Sequence, residues 1–397
     1  MDQIRNLKQE ELSESMALSE FAFQFELAEE ARKERIRGLK PDRVWGYFVD
    51  GQLASKLTVL EFHTWLQGKS FAMGGLAGVA TWPEFRRKGM VGQLLRHALK
   101  AMKAAGETVS FLHPFEFSFY RKYGWETYVH FLKYEIPTEQ LPRFDMEEGT
   151  HIQRISSKDW KLLNSVYEQY AKGYNGMLMR DEEWWTNRYF KLKKGNAVTY
   201  RNPQGELKGY MYYQVMDKTC TIHELVFLDE AARRGLWKFI ANHDSMIQKV
   251  ILQAPSDDKL PFLLTNPRIK QEIVPYFMAR IVDVENFIKQ YPFAKAGVGK
   301  PLFIQVSDQH AEWNNGLFEI QVNDAGEAKI VKHSDEKDTD KGAVPLICDI
   351  QTLTACLMGY QKAAFLQQIG RIQGDTADVG RLEKLIPERS TYLADFF

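Results

Sequence analysis

One segment constrains the fold of this chain more than any other, the residues from Gly75 to Lys100. Residues 76–81 are small and apolar, which is typical of a buried strand. A helix that begins near residue 90 is predicted by apolar residues at helical spacing, namely Met90, Leu94, Leu95, Ala98, Leu99 and Met102. The turn between the strand and the helix has the basic sequence Arg86-Arg87-Lys88-Gly89.

A basic turn at the start of a helix predicts an anion-binding site. The first amides of a helix have no partner within it, and the helix dipole adds partial positive charge there. Gly89 lets the backbone approach an anion closely, and Gly92 keeps the first helical turn narrow. Neither a G-x-x-x-x-G-K-[ST] loop nor a G-x-G-x-x-G fingerprint is present, so the turn indicates a pyrophosphate site of another kind. The alternative is a basic turn that only ends a helix in solvent.

The composition argues against several classes of protein. With 397 residues the chain is long enough for about two to three domains. Its 52 basic and 52 acidic residues cancel, so it lacks the positive charge that nucleic-acid binding requires. Three cysteines without CxxC spacing predict reduced thiols in a cytoplasmic protein. No segment has the apolar length of a signal peptide or a membrane span, so no membrane partner is expected.

Residues 1–145 are predicted to form the first domain. A short strand at 4–7 precedes a helical stretch at 10–30, whose two apolar stripes indicate burial on both sides or a break near Ser19. Seven glutamates make this stretch acidic, and a solvated face is the simplest explanation. An antiparallel meander leads into the basic turn and its helix. A strand at 108–113, a short helix at 115–123 and a final strand at 125–136 complete the domain.

Residues 146–290 are predicted to repeat the first domain in degenerate form. A second meander leads into Arg233-Arg234-Gly235, which has one residue fewer before the glycine and no second glycine behind it. We expect this copy to bind no coenzyme and to serve as a scaffold, and two unrelated basic turns are the alternative. His223 and Glu224 do not indicate zinc, because Phe227 replaces the second histidine of H-E-x-x-H, so no metal is expected.

Residues 291–397 have a different sequence pattern from the rest of the chain. Alternating strands divided by Asn, Asp and Gly turns are followed by predicted helices at 350–369 and 379–385. This part is therefore expected to be a separate α+β domain.

The sequence around the basic turn, Val79-Ala-Thr-Trp-Pro-Glu-Phe-Arg-Arg-Lys-Gly-Met, resembles motif A of the GNAT superfamily of N-acetyltransferases. Over essentially its whole length the chain resembles the enhanced intracellular survival (Eis) family. Further segments carry this resemblance: Phe119-Tyr-Arg-Lys-Tyr-Gly-Trp, His223-Glu-Leu, Gly235-Leu-Trp-Lys-Phe-Ile-Ala-Asn-His-Asp-Ser-Met, Leu263-Leu-Thr-Asn-Pro-Arg, Ala279-Arg-Ile-Val-Asp-Val and Ala394-Asp-Phe-Phe397. The resemblance implies an α+β fold of two tandem acetyltransferase-like domains with mixed, mostly antiparallel sheets, followed by a sterol-carrier-like domain. It also implies homohexamers built as dimers of trimers.

The same resemblance implies that acetyl-CoA is the co-substrate, with its pyrophosphate held by the amides of the turn. The positions that match the family's coenzyme site are Val79, Ala80, Thr81, Arg86, Arg87, Lys88, Gly89, Met90, Val91, Gly92, Phe115 and Glu116. The three strand residues would pair with the pantetheine arm and polarise the thioester carbonyl. The family usually has Gly or Ala where Val91 stands, so this sequence departs from the motif there.

Two residues match the groups that move protons in the family. Tyr120 matches the general acid, and a phenol with a pKa near 10 is a reasonable proton donor to a thiolate. The α-carboxylate of Phe397 matches the group that meets the acceptor amine, and we expect it to be the general base. Packing is the alternative explanation for both aromatic rings, and Glu116 is the next candidate base.

The resemblance implies a primary amine as acceptor, and a (poly)cationic, aminoglycoside-like one in characterised relatives. Because the first two helices border the acceptor site in the family, acidic residues such as Glu29 and Glu30 would suit a cation. A second class of function stays open, a non-catalytic protein whose C-terminal domain binds an apolar ligand. The intact basic turn and Tyr120 favour the enzyme.

Overall fold

The computed structural model describes residues 2–156, 159–295, 299–333 and 344–397. These residues form two seven-stranded sheets and one four-stranded sheet, with helices packed against them. Most neighbouring strands are antiparallel, and parallel pairs occur once in each sheet. The expected α+β fold with mixed, mostly antiparallel sheets is confirmed.

The first sheet is built largely from the N-terminal third of the chain. In chain order its elements are β1 (Gln3–Asn6), α1 (Leu12–Phe23), α2 (Glu29–Arg37), β2 (Val44–Val49), β3 (Gln52–Leu66), β4 (Lys69–Thr81), α3 (Met90–Ala104), β5 (Val109–Leu112), α4 (Phe117–Arg121) and β6 (Glu126–Thr127). The expected helix at 10–30 is two helices. It breaks at Gln24 and not near Ser19, because Gln24 adopts a left-handed conformation with φ of 55° that ends α1.

The expected final strand at 125–136 is divided between two sheets. Its second part, β7 (His130–Pro137), pairs in the second sheet, while β14 (Met278–Ile281) from the middle of the chain fills the place between β5 and β6. The chain crosses between the sheets at Tyr128, which is fully buried and stacks on Phe111 with 4.5 Å between ring centroids. The two sheets therefore exchange strands, and their pairing does not follow the predicted boundary at residue 145.

The second sheet contains β7 and most of the central part of the chain. Its remaining elements are β8 (His151–Ile155), α5 (Trp160–Ala171), a π-helical turn (Trp184–Tyr189), α6 (Phe190–Leu192), β9 (Asn196–Arg201), β10 (Leu207–Met216), β11 (Thr219–Phe227), α7 (Glu230–Ala241), β12 (Lys249–Ala254), α8 (Leu260–Leu263) and β13 (Lys270–Pro275). The predicted meander corresponds to β9, β10 and β11.

The C-terminal part forms the third sheet and the last helices. Its elements are α9 (Val284–Gln290), β15 (Leu302–Ser307), β16 (Gly316–Val322), β17 (Ala328–His333), β18 (Leu346–Asp349), α10 (Ile350–Leu357), α11 (Ala363–Gln368) and α12 (Thr376–Leu385). The expected helix at 350–369 is interrupted after Leu357 by a turn at Gly359.

The hydrophobic core joins the first and third sheets. Phe71 on β4 packs against Phe287 on α9 with ring centroids 5.3 Å apart, and one cluster of buried side chains continues from there into the C-terminal helices. The last residues of the chain return from the C-terminal part to this same cluster, which contains Phe397. Contact between distant parts of the chain therefore places the terminus against the first sheet.

The structure also describes the cysteines and shows whether any described helix could span a membrane. Cys220, Cys348 and Cys356 are buried free thiols. Among the residues that the structure describes, no helix combines the length and apolar character needed to cross a membrane.

Candidate active site

The N-terminus of α3 is open to an anion. Gly89 precedes the helix with φ of 77°, a conformation that favours glycine, and none of the described side chains caps the first amides. A Cβ atom at position 89 would have no atom of the described residues within 4 Å, so the space beside this glycine is open. Arg86, Arg87 and Lys88, in the turn just before this glycine, are exposed. Free amides, the helix dipole and three cations together suit a phosphate group.

The turn is held in shape by contacts with the end of β4 and with the short segment that follows it. Arg86 Nε donates to the Thr81 carbonyl oxygen at 3.3 Å, and Lys88 Nζ lies 5.2 Å from the centroid of the Phe85 ring. Met90 is buried and Val91 is half-buried, so these two residues can offer a ligand little besides backbone.

Gly92 has a packing role that the sequence prediction only approximated. A Cβ atom there would lie 2.5 Å from the Tyr123 hydroxyl oxygen, which is too close. Gly92 therefore lets α3 pack closely against Tyr123, the residue that follows α4 by two positions.

The corresponding turn of the second sheet is closed. The Asp229 side chain accepts from the Ala232 amide at 2.8 Å and caps α7, where an anion would otherwise bind. The guanidinium groups of Arg233 and Arg234 lie 5.1 and 5.5 Å from the centroid of the Phe144 ring. These contacts explain physically why the second basic turn is a poor anion site.

Strands β4 and β5 diverge beside the open helix end. They pair in parallel only from Met73 to Leu76, whereas β4 continues to Thr81. On its other edge β4 pairs with β3 and has a bulge at Gly78 and Val79. Both residues lie between two consecutive β3–β4 pairs, Lys56–Ala80 and Thr58–Ala77. Gly78 has φ of 59°, which glycine adopts without strain. The divergence leaves the β5-facing edge of residues 77–81 open to an extended ligand.

Contacts from β3 hold the end of β4 in place. Ser55 Oγ donates to the Ala80 carbonyl oxygen at 3.0 Å and lies 2.7 Å from Thr81 Oγ1. Val79 is half-buried beside the bulge. The three predicted strand residues, Val79, Ala80 and Thr81, therefore lie in one segment of β4 just past the point where β4 and β5 separate.

Tyr120 is buried in α4 and lies among aromatic rings. Its ring centroid is 5.4 Å from that of Phe115, 5.2 Å from Phe119 and 6.4 Å from Trp125. No described residue forms a hydrogen bond with its hydroxyl group, and burial raises the pKa of that phenol. Packing explains the ring but leaves the hydroxyl without a structural role.

Phe115 and Glu116 lie at the start of α4. Phe115 is largely exposed, which leaves its ring available to a ligand. The Glu116 side chain instead accepts from the Ser118 amide at 3.1 Å and caps α4. This cap gives Glu116 a structural role that the sequence prediction did not include.

The ring of Phe397 is packed against the first sheet. Its centroid lies 4.8 Å from those of Phe62 and Phe277. A Cβ atom on Gly75 of β4 would lie 2.9 Å from this ring, so the terminus touches the strand directly. No described side chain forms an ion pair or hydrogen bond with the terminal carboxylate.

Tyr120 and Phe397 lie on opposite faces of β4. Successive residues of a strand point to opposite faces. Gly75 faces the Phe397 ring, and the next residue, Leu76, belongs to the cluster that contains Leu112 and Tyr120. Leu76 and Leu112 are also the last pair before β4 and β5 diverge. The cluster that contains Tyr120 and the ring of Phe397 therefore lie on different faces of β4 at the point where the two strands diverge.

Sequence reasoning missed several residues around the terminus. His113 follows β5, and its ring centroid is 5.0 Å from that of Phe396; burial lowers its pKa. Asp395 is buried with Arg180 and Glu224 in one ionic cluster. The only sequence signal for this cluster was an acid in an otherwise apolar terminus, since a buried carboxylate needs a partner.

A cleft of about 630 Å³ lies next to the basic turn. It is lined by residues of α1, the segment after it and the turn: Glu20, Phe21, Ala22, Gln24, Phe25, Glu26, Pro83 and Arg86. Glu26 has no ion-pair partner among the described residues. Glu29 and Glu30, which the sequence suggested for a cation site, both pair with the exposed Lys33 and do not line this cleft.

His223 and Glu224 have partners other than a metal. The His223 ring lies 3.0 Å from the Lys194 carbonyl oxygen through Nε2, and Glu224 binds Arg180. Among the described residues, no cluster of three or more His, Cys, Asp or Glu side chains could hold a metal ion.

Family models match the chain in three places. Models described as acetyltransferase (GNAT) domain match residues 3–128 and 176–281, which together span more than half of the chain. A model described as sterol carrier protein domain matches residues 284–394. N-acetyltransferase Eis of Mycobacterium tuberculosis is 23% identical over 331 residues, covering 78% of this chain and 76% of the relative. The chain belongs to the GNAT superfamily, within the Eis family.

Other relatives agree with this membership. An uncharacterised N-acetyltransferase of Streptomyces griseus is 24% identical over 376 residues, which cover 88% of each chain. A probable N-acyltransferase of Enterococcus faecalis has a similar solved structure, with a TM-score of 0.92, 28% identity and full coverage of both chains. Eis1 of Mycobacterium abscessus agrees in fold, with a TM-score of 0.80, 20% identity and full coverage of both chains.

These comparisons decide between the two classes of function that the sequence left open. The relatives are N-acetyltransferases by name, and both of the first two domains match GNAT models. This chain is a GNAT-type N-acetyltransferase, and the predicted family, fold class and enzyme class are confirmed.

Proposed function

We propose that the protein transfers the acetyl group of acetyl-CoA to a primary amine, and that the first domain alone binds the coenzyme. The observation that carries this proposal is the contrast between the two basic turns. The N-terminus of α3 is uncapped and open above Gly89, whereas that of α7 is capped by Asp229. Only the first can give its amides to a pyrophosphate.

The coenzyme would lie along the surfaces already described. Residues 86–92 would bind its pyrophosphate, and the open edge of Val79, Ala80 and Thr81 would pair with its pantetheine arm. Backbone amides there would also polarise the thioester carbonyl, a type of stabilisation worth about 3 kcal/mol per donor. The exposed Phe115 ring would cover part of the coenzyme, and Glu116 would act mainly as the cap of α4.

The proposed reaction is direct attack of the amine on the thioester. The amine nitrogen bonds to the carbonyl carbon, and the carbon–sulfur bond breaks. The carboxylate of Phe397 takes the proton from the amine on one face of β4, and the Tyr120 hydroxyl gives a proton to the leaving thiolate on the other face. The Tyr120 phenol is protonated at neutral pH, since its ordinary pKa is near 10 and burial raises it further.

We propose a (poly)cationic, aminoglycoside-like acceptor. The cleft beside the basic turn supports this class, because Glu26 offers it a carboxylate that no described cation neutralises. The aromatic rings of Phe21 and Phe25 line the same cleft and can pack against a cationic amine.

The proposal includes the larger organisation of the protein. The functional divisions are the coenzyme-binding domain at 1–145, the degenerate domain at 146–290 and the sterol-carrier-like domain at 291–397. The buried thiols suit a cytoplasmic protein. As the resemblance implies, the chain would assemble as a hexamer, so light scattering should give six times the chain mass of 46.1 kDa.

One assay tests the proposed activity. Thiol release from acetyl-CoA is followed with monoamines, linear polyamines and aminoglycosides as acceptors. The proposal predicts release that depends on the amine and is fastest with polycations. Coenzyme binding without amine-dependent release from any acceptor would contradict it.

A further inference from the structure

The C-terminal tail, residues 390–397, is held unusually firmly for a chain end. Chain termini commonly fray. Here Tyr392 donates its amide to the Asn175 carbonyl oxygen at 3.0 Å, and Thr391 forms a β-bridge with the same residue. The tail therefore enters the central part of the protein as an ordered segment.

Three consecutive carbonyl groups near the terminus each accept a hydrogen bond from a side chain. The donors are Lys193 Nζ to Ala394 at 3.4 Å, Tyr276 hydroxyl to Asp395 at 3.0 Å and Arg188 Nε to Phe396 at 3.1 Å. All three donors belong to the central part of the chain, so that part fixes the path of the last peptide units.

Asp395 adds an ionic contact to these backbone bonds. Arg180 Nε donates to Asp395 Oδ1 and Oδ2 at 3.0 and 3.1 Å. Trp184 Nε1 also donates to Oδ1, at 2.8 Å. The Tyr167 hydroxyl oxygen lies 3.3 Å from Oδ2, but its shorter hydrogen bond is to the Leu178 carbonyl oxygen at 2.8 Å. Asp395 is 2% exposed, and both Arg180 and Trp184 donate to its carboxylate, so its position is closely defined.

Arg180 is itself fixed on its other side. Its Nη1 and Nη2 atoms donate to the Glu224 carboxylate at 3.0 and 2.6 Å. The guanidinium group also lies 3.8 Å from the centroid of the Tyr167 ring and 4.6 Å from that of Trp185. Burial, the largest single influence, would raise the pKa of Glu224, but the charge and hydrogen bonds of Arg180, with smaller contributions from Lys193 and Tyr210, together lower it. The pair therefore stays ionised.

Burying this ionic cluster costs free energy, because the charged groups lose their hydration. Well-packed apolar groups in the same place would often be as stable, so the cluster is not needed for stability alone. What the cluster does provide is a fixed position for the Asp395 carboxylate. Asp395 lies two residues before the terminal carboxylate, and two residues of extended chain span at most about 7 Å. Fixing Asp395 therefore confines the carboxylate of Phe397 to a small volume beside β4.

We propose that Arg180 and Asp395 are positioning residues for the reaction, and that the degenerate second domain serves as the receptor for the C-terminal tail. This inference rests on the proposed role of the terminal carboxylate as general base. It gives the second domain a function beyond that of a scaffold.

The test uses the full-length Asp395→Asn variant and two measurements. Carboxypeptidase release of Phe397 reports how firmly the tail is held, independently of activity. We expect at least tenfold faster release, together with at least a tenfold lower kcat and an unchanged KM for acetyl-CoA. Trp184→Phe removes one hydrogen bond to Asp395 and keeps a ring beside Phe62. It should speed the release of Phe397 and lower kcat by smaller factors than Asp395→Asn does. This variant replaces Asp395→Asn in the test if Asp395→Asn does not fold.

A matched control is Tyr210→Phe. Tyr210 donates to Glu224 at 2.6 Å in the same cluster but contacts no residue of the tail by hydrogen bond. It should leave release and kcat unchanged even if the melting temperature falls. If Asp395→Asn releases Phe397 at the wild-type rate, the proposal that the second domain holds the C-terminal tail through Asp395 is overturned, whatever happens to kcat. Faster release with unchanged kcat would overturn the positioning role of Asp395 and Arg180, and extension of the chain after Phe397 tests separately whether the terminal carboxylate is the base.

Discussion

Phe397 packs beside Gly75 on one face of β4, and the next residue, Leu76, belongs to the cluster on the other face that contains Tyr120. This arrangement separates the two proton transfers of the proposed reaction. The base can meet the amine on one face of the strand while the acid meets the thiolate on the other. Neither group then needs to move between the steps, and the two groups do not neutralise each other.

The open end of α3 predicts the effect of Gly89→Asp on coenzyme binding. The new carboxylate would stand over the free amides and repel the pyrophosphate. We expect the Kd for coenzyme A, measured by calorimetry, to rise at least about 100-fold, which is about 3 kcal/mol.

The same helix offers the matched control. Gly106 lies just beyond the C-terminal end of α3 with φ of 76°, and no atom lies within 4 Å of a Cβ built there. Gly106→Asp should leave the affinity unchanged. Gly235 is unsuitable as a control, because a Cβ there would lie 2.4 Å from the Tyr200 ring. Equal effects at positions 89 and 106 would contradict the assigned coenzyme site.

The unpartnered hydroxyl of Tyr120 predicts a selective effect of Tyr120→Phe. Loss of a positioned proton donor should lower kcat by about 10²- to 10⁴-fold. Stability should change by less than about 1 kcal/mol, because no described residue forms a hydrogen bond with the hydroxyl group. Kinetics and thermal unfolding of this variant and of Tyr123→Phe, which should keep its kcat, separate catalysis from packing. A near-normal kcat with a large drop in melting temperature would refute the assignment.

The carboxylate of Glu26 predicts a dependence of acceptor binding on acceptor charge. Glu26→Gln should raise KM for polycationic amines by about two- to fivefold and hardly change it for monoamines, as expected for one exposed charge. Glu29→Gln is the control, since Glu29 pairs with Lys33 and does not line the cleft. Equal increases of KM for both kinds of amine would argue against an electrostatic role.

Lys56 on β3 predicts a pH-dependent stability. Its Nζ donates to Ser15 and Ser19 at 3.0 and 2.6 Å, and burial, with a smaller contribution from Arg35, lowers its pKa from 10.5 to about 8. Between these two pKa values the unfolded chain holds a proton that the folded protein has lost, so the free energy of unfolding rises with pH.

The Lys56→Met variant lacks this titration. The stability of the wild type relative to the variant should therefore rise by about 3 kcal/mol from pH 8 to pH 10.5, and should stay level below pH 8. Denaturant unfolding at several pH values measures the difference. A difference that does not vary with pH would show that Lys56 titrates alike in both states.

The sequence predicted local features well because their signals are local. The strand, basic turn and helix from Gly75 onward follow from periodicity and glycine placement, and β3 and β4 lie where the meander was expected. The unusual aromatic terminus pointed correctly to burial of Phe397, which belongs to the core, but Phe396 is 51% exposed.

Features that depend on distant parts of the chain could not be predicted in this way. The strand exchange of β7 and β14 depends on pairing between residues far apart, which periodicity does not encode. Asp395 and Arg180 are separated by 215 residues, and nothing in their spacing links them. The break at Gln24 was also missed, because glutamine carries no signal for a left-handed conformation.

The most direct test of the account extends the chain by one or two glycines after Phe397. The extension moves the carboxylate away but leaves both terminal rings and the contacts of Asp395 in place. We predict that kcat for acetyl transfer falls by about 10²- to 10⁴-fold, with melting temperature and coenzyme affinity unchanged. A normal kcat in the extended enzyme would contradict the terminal carboxylate as base, and His113 beside Phe396 would then be a better candidate than Glu116, which caps α4.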